Sequence, residues 1–167
     1  DREAKVIGHS GLVGDQVPIA VGYAFKNEPV VCFMGDSTIE EDVVGPALGF
    51  AATHEVPILF VLEDNGLSVV TRTEKRRSWN AIDVAKAYGV RAGRVIDEPQ
   101  DIYDAASAFR REPKPSLLEV VCCRKYRHVG IGSDGESAWD RMAIVRSQVG
   151  DKQIEEEARR EMAELWT

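Results

Sequence analysis

Two short apolar runs dominate the hydrophobic pattern of the chain, at residues 30–34 and 58–62. Their length and their β-branched residues are typical of strands that are buried on both faces of a parallel sheet. Between them, residues 46–53 are small and apolar, which predicts a buried crossover helix. A strand–helix–strand unit is right-handed and parallel, so both predicted strands end at the same edge of the sheet.

The same alternation continues along the chain. Residues 81–88 form a predicted helix with Asn80 as its N-cap, and Pro99–Arg111 form another, with strands predicted at 90–96 and 116–122. This order favours an α/β fold with a doubly wound, mainly parallel sheet and helices on both faces.

The two ends of the chain are predicted to be helical. A glycine-rich segment at 7–14 precedes a predicted buried helix whose apolar residues at helical spacing are Val17, Val21, Ala24 and Phe25. From Trp139 onward the spacing of apolar residues is again helical. We therefore expect a single domain over 1–167, with a C-terminal helical extension at about 137–167.

Composition excludes several classes of protein. The 167 residues suit one domain, and a net charge of −7 argues against binding to nucleic acid or to an anionic membrane. No apolar run approaches the roughly 18 residues of a membrane span, and no signal peptide is visible. The three cysteines form neither a disulfide framework nor a metal-binding spacing, which favours a cytoplasmic location.

Polar residues directly follow the first two predicted strands. Asp36 follows the first strand, and Asp64 and Asn65 follow the second. Ligands of open α/β sheets bind at the carboxyl ends of the strands, and Mg²⁺ prefers oxygen ligands. The pattern therefore suits a magnesium site. On the residues alone, the alternative that they are ordinary turn-forming residues stays open.

The spacing of these residues resembles a known motif. Gly35-Asp36-Ser37, then 26 residues, then Asp64-Asn65 resembles the thiamine diphosphate motif, with Ser37 in place of a glycine and Asp64 in place of an asparagine. The segments PALGFAA, PILFVLE and DNGL resemble the α subunit of the 2-oxoacid dehydrogenases. The resemblance implies magnesium ligation by the side chains of Asp36 and Asn65 and the Leu67 carbonyl. The cofactor-binding residues that it implies in this motif are Gly35, Asp36, Ser37, Thr38, Asn65 and Leu67.

Two further segments carry the resemblance. GLVGDQVP is similar to a family segment whose backbone lies against the aminopyrimidine of the cofactor, which implies this role for Gly11 and Val13. Residues 124–135 resemble the family's phosphorylation-prone loop. By that likeness Arg124 and His128 bind the cofactor and His128 is catalytic, although the first of two family histidines falls on Tyr126.

The family implies the chemistry and the partner. Its members decarboxylate a 2-oxoacid on thiamine diphosphate and Mg²⁺ and transfer the resulting acyl or hydroxyalkyl unit. The activating glutamate comes from a β subunit, which implies a complex of two α and two β chains and an inactive isolated chain. The resemblance covers the later half of an α subunit.

Two alternatives remain at this point. The altered segment at residues 38–42, TIEED, leaves open a split transketolase-like or carboligase subunit that transfers a two-carbon unit to a carbonyl acceptor. The other alternative is a non-catalytic binding homologue.

Three local questions also stay open. Four basic residues in 72–77 favour a solvated loop, with contact to a partner subunit or an acidic substrate as the alternative. His9 lies either on the surface of a loop or against the active site. Glu119, inside a predicted strand, either faces solvent or pairs with a cation.

Overall fold

The computed structural model describes residues 5–8, 10–26, 28–134, 138–150 and 152–165. The helices are α1 (Gln16–Ala24), α2 (Val44–Thr53), α3 (Thr73–Arg76), α4 (Ala81–Ala87), α5 (Pro99–Arg111), α6 (Arg141–Val149) and α7 (Lys152–Leu165). The strands are β1 (Val30–Gly35), β2 (Ile58–Asp64), β3 (Leu67–Ser68), β4 (Thr71–Arg72), β5 (Arg91–Ile96) and β6 (Ser116–Val121). A short 3₁₀ helix covers Thr38–Glu40.

Four strands form one parallel sheet in the order β1-β2-β6-β5. Met34 lies opposite Leu62, and Leu62 lies opposite Glu119, so the strands run side by side with their carboxyl ends together. β3 and β4 form a separate antiparallel hairpin after β2. The predicted parallel α/β architecture is confirmed.

Each face of the sheet has its own apolar core. On one face, α1, α2 and α4 cover Ile58, Phe60 and Leu62 of β2. On the other face, α5 places Phe109 against side chains of β2 and β6, which include Leu59 and Val120. Because successive side chains of a strand point to opposite faces, the continuous apolar run of β2 serves both cores.

Small residues allow α2 to approach α4 closely. A Cβ atom built on Gly45 would lie 2.6 Å from the Tyr88 hydroxyl oxygen, and one on Gly49 would lie 3.1 Å from the Tyr88 ring. Larger side chains at these two positions would displace the Tyr88 ring. The small residues of α2, from which the sequence predicts a buried crossover helix, are therefore required by its close packing against Tyr88.

The N-terminal helix is confirmed, with one exception. Val17, Val21 and Ala24 are buried against the sheet, as predicted. Phe25 is 51% exposed, so its predicted burial is wrong. The helix ends at Ala24, and the Phe25 ring packs beside Phe50, with ring centroids 5.4 Å apart.

The C-terminal segment is helical, as its pattern predicts. The Arg141 guanidinium lies 2.9 Å from Asp97, and the Trp139 indole donates to the same carboxylate, so the segment before α6 is held at the end of β5. The division into one domain and an extension stays a prediction. Within the described ranges, no helix is long and apolar enough to cross a membrane.

Candidate functional site

Three strands end at one edge of the sheet. The Asp36 amide donates to the Glu63 carbonyl at 3.1 Å, and the Cys122 amide donates to the Asp64 carbonyl at 2.9 Å. The ends of β1, β2 and β6 are therefore hydrogen-bonded to one another. This edge carries Asp36, Asn65 and the beginning of the loop after β6, as the parallel pattern predicts.

Asp36 is buried at the end of β1, with a residue exposure of 2%. Its Oδ2 atom accepts a hydrogen bond from the Thr73 hydroxyl at 3.0 Å and another from Arg76 Nη2 at 2.5 Å. A buried carboxylate needs such partners, because losing water is costly for a charged group. Asp36 is therefore more than a turn-forming residue, since α3 supplies it with a hydroxyl and a positive charge.

The solvated-loop interpretation of the basic segment is wrong for two of its residues. Arg76 Nη1 lies 2.5 Å from Glu40 Oε1, and the Arg77 guanidinium, with a side-chain exposure of 3%, lies 4.8 Å from the Trp79 ring centre. The acidic groups of Asp36 and Glu40 draw these two guanidinium groups inward. Arg72 and Lys75, in contrast, are exposed as expected.

Asn65 and Asp64 both form tight turns after β2. Asn65 Oδ1 accepts from the Leu67 amide at 3.1 Å, and Asp64 Oδ1 accepts from the Gly66 amide at 2.9 Å. Gly66 has a φ of 72°, a conformation that favours glycine. The turn-forming role is therefore present at both residues, and it leads the chain into the β3–β4 hairpin at Leu67.

The other motif residues lie between β1 and α2. Gly35 ends β1, Ser37 lies in the following turn, and Thr38 begins the 3₁₀ helix with only 4% of its surface exposed. These residues share the edge with Asp36. Their roles toward a cofactor stay predictions.

Gly11 and Val13 lie in an exposed loop before α1, and Val13 is 57% exposed. Gly14 has a φ of 95°, and a Cβ atom there would lie 2.9 Å from Glu41 Cβ. The loop therefore packs closely on the segment that follows the 3₁₀ helix, while Gly11 and Val13 remain accessible. His9 lies outside the described residues.

The structure brings Arg124 to the β3–β4 hairpin and leaves His128 exposed on the same loop. Arg124 Nε lies 2.6 Å from Asp134 Oδ2, and Arg124 Nη2 donates to the Val69 carbonyl at 2.6 Å. Val69 has a φ of 53°, which is unusual for a β-branched residue. His128 is exposed and forms no hydrogen bond or ion pair with any residue that the structure describes.

Glu119 is a buried carboxyl group in the middle of the sheet, with 1% of its surface exposed. Arg94 Nε on β5 lies 2.5 Å from its Oε2 atom. Burial raises the pKa of Glu119, and the Arg94 guanidinium opposes that rise. Glu119 therefore pairs with a cation, as one of the two predicted alternatives has it.

The donors at this edge are of the kind that Mg²⁺ prefers, since they are carboxylate, carboxamide and backbone carbonyl oxygens. Among the described residues, no group of three or more His, Cys, Asp or Glu side chains is arranged to hold a metal ion. The predicted site needs only one carboxylate, Asp36, so its donor chemistry fits the ion. The Arg76 guanidinium already forms an ion pair with that carboxylate.

Sequence reasoning missed Arg76 and Thr73 as partners of Asp36. They lie 40 and 37 positions away from it along the chain, so no local pattern links them. For Glu119 a signal was present, because a carboxyl group inside an apolar strand needs a partner.

The sequence of this chain is similar to those of α subunits of 2-oxoacid dehydrogenases. It is 32% identical over 131 residues to the mitochondrial 2-oxoisovalerate dehydrogenase subunit alpha 2 of Arabidopsis thaliana, which covers 71% of this chain and 28% of that protein. It is 30% identical over 145 residues to the pyruvate dehydrogenase E1 component subunit alpha of Rickettsia bellii, which covers 78% and 43%. The chain thus spans less than half the length of these relatives.

Solved structures show the same fold. A transketolase from Leishmania mexicana matches with a TM-score of 0.64 and 16% identity, over 68% of this chain and 20% of that one. A thiamine diphosphate-dependent 4-hydroxybenzoylformate decarboxylase from Rhodococcus jostii matches with a TM-score of 0.54 and 22% identity, over 66% and 23%. At these identities the likeness concerns the fold alone.

A family model decides the classification. The model described as "Dehydrogenase E1 component" matches residues 1–157, which is nearly the whole chain. The chain therefore belongs to the dehydrogenase E1 component family.

Proposed function

We propose that this chain is an α-type subunit of a thiamine diphosphate-dependent enzyme that decarboxylates a 2-oxoacid and transfers the resulting acyl or hydroxyalkyl unit. The relatives named above act on 2-oxoisovalerate or pyruvate by their names, so the proposed substrate is a small 2-oxoacid of this class. The carrying observation is that Asp36 and Asn65, the two predicted side-chain ligands, follow adjacent parallel strands in a member of this family.

In this proposal the metal-binding groups are the Asp36 carboxylate, the Asn65 carboxamide and the Leu67 carbonyl. Parallel pairing of β1 and β2 supports the assignment, because it brings the residues after both strands to one edge. Hard oxygen donors of this kind suit a magnesium ion that also binds phosphate oxygens. When bound, thiamine diphosphate supplies an electron sink for the carbanion that decarboxylation produces.

Arg124 and His128 have different proposed roles at the same edge. Arg124 donates to the Val69 carbonyl and pairs with Asp134. Its guanidinium, which can donate two parallel hydrogen bonds, therefore lies beside the hairpin that follows Asn65. His128 is proposed as the catalytic residue, which holds or donates a proton near the cofactor. Because His128 is exposed, this role requires its loop to pack against the cofactor and the partner when they bind.

The proposed partner is a β-type subunit that supplies the activating glutamate, in a complex of two α and two β chains. Helix α1 supports a partner, since Ile19 is 50% exposed and Tyr23 is 53% exposed on its outer side while its inner side is buried in the core. A helix that is apolar on all sides is usually covered. Gly11 and Val13, on the exposed loop before α1, are the proposed backbone contacts of the aminopyrimidine.

Calorimetric titration of thiamine diphosphate tests the proposal. It is done with and without Mg²⁺, on the chain alone and on the chain mixed with a candidate β-type subunit. We expect tight, magnesium-dependent binding only in the mixture, and its loss in Asp36→Ala. Asp42→Ala is the matched control, because it removes an exposed carboxylate close by and should bind normally.

The outcomes separate clearly. Binding in the mixture that Asp36→Ala abolishes and Asp42→Ala preserves would support the proposal and justify a screen of 2-oxoacids. Absence of binding under every condition would refute the cofactor assignment. The chain would still belong to the family, but the proposed activity would be wrong for it.

A further inference from the structure

The guanidinium of Arg76 lies between two carboxylates near the end of β1. Nη2 is 2.5 Å from Asp36 Oδ2, and Nη1 is 2.5 Å from Glu40 Oε1. The Thr73 hydroxyl lies 3.0 Å from the same Asp36 oxygen and accepts from Arg76 Nη2 at 2.9 Å. We call these four residues, Asp36, Glu40, Thr73 and Arg76, the Asp36 cluster.

This pairing is shielded from water. The side-chain exposure is 3% for Asp36 and 12% for Arg76. A buried carboxylate needs a positive partner, and an arginine stays charged at any pH that the protein meets. Without another cation, Arg76 is therefore the group that balances the charge of Asp36.

We infer that Arg76 is an internal counter-ion that competes with the metal ion for the Asp36 carboxylate. The inference rests on the proposed function, in which Asp36 is a magnesium ligand. Two cations this close to one carboxylate repel each other, and the repulsion is strong where water is excluded. Metal binding therefore requires Arg76 to withdraw, and the metal affinity includes the work of displacing it.

The attachment of Arg76 is incomplete in a way that permits withdrawal. Arg76 Nε and, on the next residue, Arg77 Nε and Nη1 are buried without a hydrogen-bond partner in the described part of the chain. Buried donors without acceptors destabilise the arrangement that contains them. α3 has only four residues, and Glu74 and Lys75 on it are exposed, so the segment can shift without uncovering an apolar core.

A direct metal-binding measurement tests the competition. The chain is mixed with its β-type subunit and a fixed excess of thiamine diphosphate, and Mn²⁺ is titrated in while the free ion is followed by electron paramagnetic resonance. The same titration of thiamine diphosphate without protein is subtracted, because the diphosphate itself binds the ion. We expect Arg76→Gln to raise the Mn²⁺ affinity by about tenfold or more, because a nearby positive charge is removed. Lys75→Gln, which removes an exposed positive charge from the same helix, should change the affinity by less than about twofold.

A second variant covers the case in which Arg76→Gln does not fold. Arg76→Lys keeps a positive charge near Asp36, but its compact ammonium group lacks the fork that spans two carboxylates. It should be displaced more easily, so the Mn²⁺ affinity should rise by a smaller amount that still exceeds the Lys75→Gln change. Circular dichroism of each variant shows whether it is folded.

The failures of the two hypotheses look different. Equal Mn²⁺ affinity in the wild type and in folded Arg76 variants, with loss of binding in Asp36→Asn, would overturn the competition and leave the proposed function intact. Absence of Mn²⁺ binding in the wild type and in every variant would overturn both. A raised affinity in the Arg76 variants alone, lost when Asp36→Asn is added, would support the inference.

Discussion

Two polar regions share the carboxyl edge of the sheet, and they are built in opposite ways. The Asp36 cluster has a buried carboxylate at its centre, Asp36, and is closed by contacts between segments that are distant along the chain. The loop at 122–134, which we call the Arg124 loop, is largely exposed, and its side-chain contacts to the rest of the chain include those of Arg124 with the Val69 carbonyl and of Lys125 with Asp140. The Asp36 carboxylate therefore has its partners within the folded chain, whereas most side chains of the Arg124 loop are open to solvent.

The Asp36 cluster should be sensitive to change even without a cofactor. Asp36→Ala leaves Arg76 without its buried partner, so we expect a loss of about 3 kcal/mol in the free energy of unfolding, measured by urea denaturation. Asp42→Ala should change it by less than about 0.5 kcal/mol, since that carboxylate is exposed. Equal, small effects of both substitutions would show that the cluster is not a stabilising unit.

The Arg124 loop should respond to loss of its anchor by opening locally. Arg124→Ala removes the contacts to Asp134 and Val69, each of which involves a charged group, so the loop should open about tenfold more often. Limited proteolysis within residues 125–134 measures this opening. Arg110→Ala, an exposed arginine on α5, is the control and should leave the cleavage rate unchanged.

His128 should affect binding but not folding. His128→Ala removes an exposed side chain, so the free energy of unfolding should change by less than about 0.5 kcal/mol. In the mixture with the β-type subunit, calorimetry should show about tenfold weaker binding of thiamine diphosphate, from loss of one hydrogen bond to a charged group. Ile131→Ala, at a residue of the same loop that is 97% exposed, is the control. Unchanged binding in His128→Ala would remove His128 from the proposed site.

Cys122 marks the junction between the ordered strand end and the open loop. Burial, with help from nearby carboxylates, raises the pKa of Cys122 to about 11. At pH 8 only about one thiol in a thousand is then the reactive thiolate, so alkylation by iodoacetamide should be slow in the folded chain and much faster in urea. Fast alkylation of folded Cys122, located by mass spectrometry, would show that the chain is already open to solvent directly after β6.

Much of the architecture could be predicted from the sequence. The strands and helices follow from hydrophobic runs and their periods, because burial on one or both faces leaves a local trace. The motif around Asp36 and Asn65 could likewise be assigned to one edge, since parallel strands end together. The strand order, with β6 between β2 and β5, could not, because pairing between strands distant in sequence leaves no local signal.

Side-chain environments, in contrast, could not be predicted reliably from the sequence. Residues 72–77 look like a solvated basic loop when they are considered alone, yet the Arg77 side chain is buried and that of Arg76 is only 12% exposed. Phe25 fits an apolar helical stripe but is exposed where the helix ends. Both errors arise because a local pattern reports the type of a side chain and not what surrounds it.

Local chemistry was sufficient for the α/β fold, the family and the residues at the sheet edge, since these depend on patterns within short segments. Only the tertiary structure decided which cation lies on Asp36. That pairing joins residues 40 positions apart and depends on how the β3–β4 hairpin returns α3 to the end of β1. It also decided that Glu119 is buried against Arg94, while His128 stays in the open.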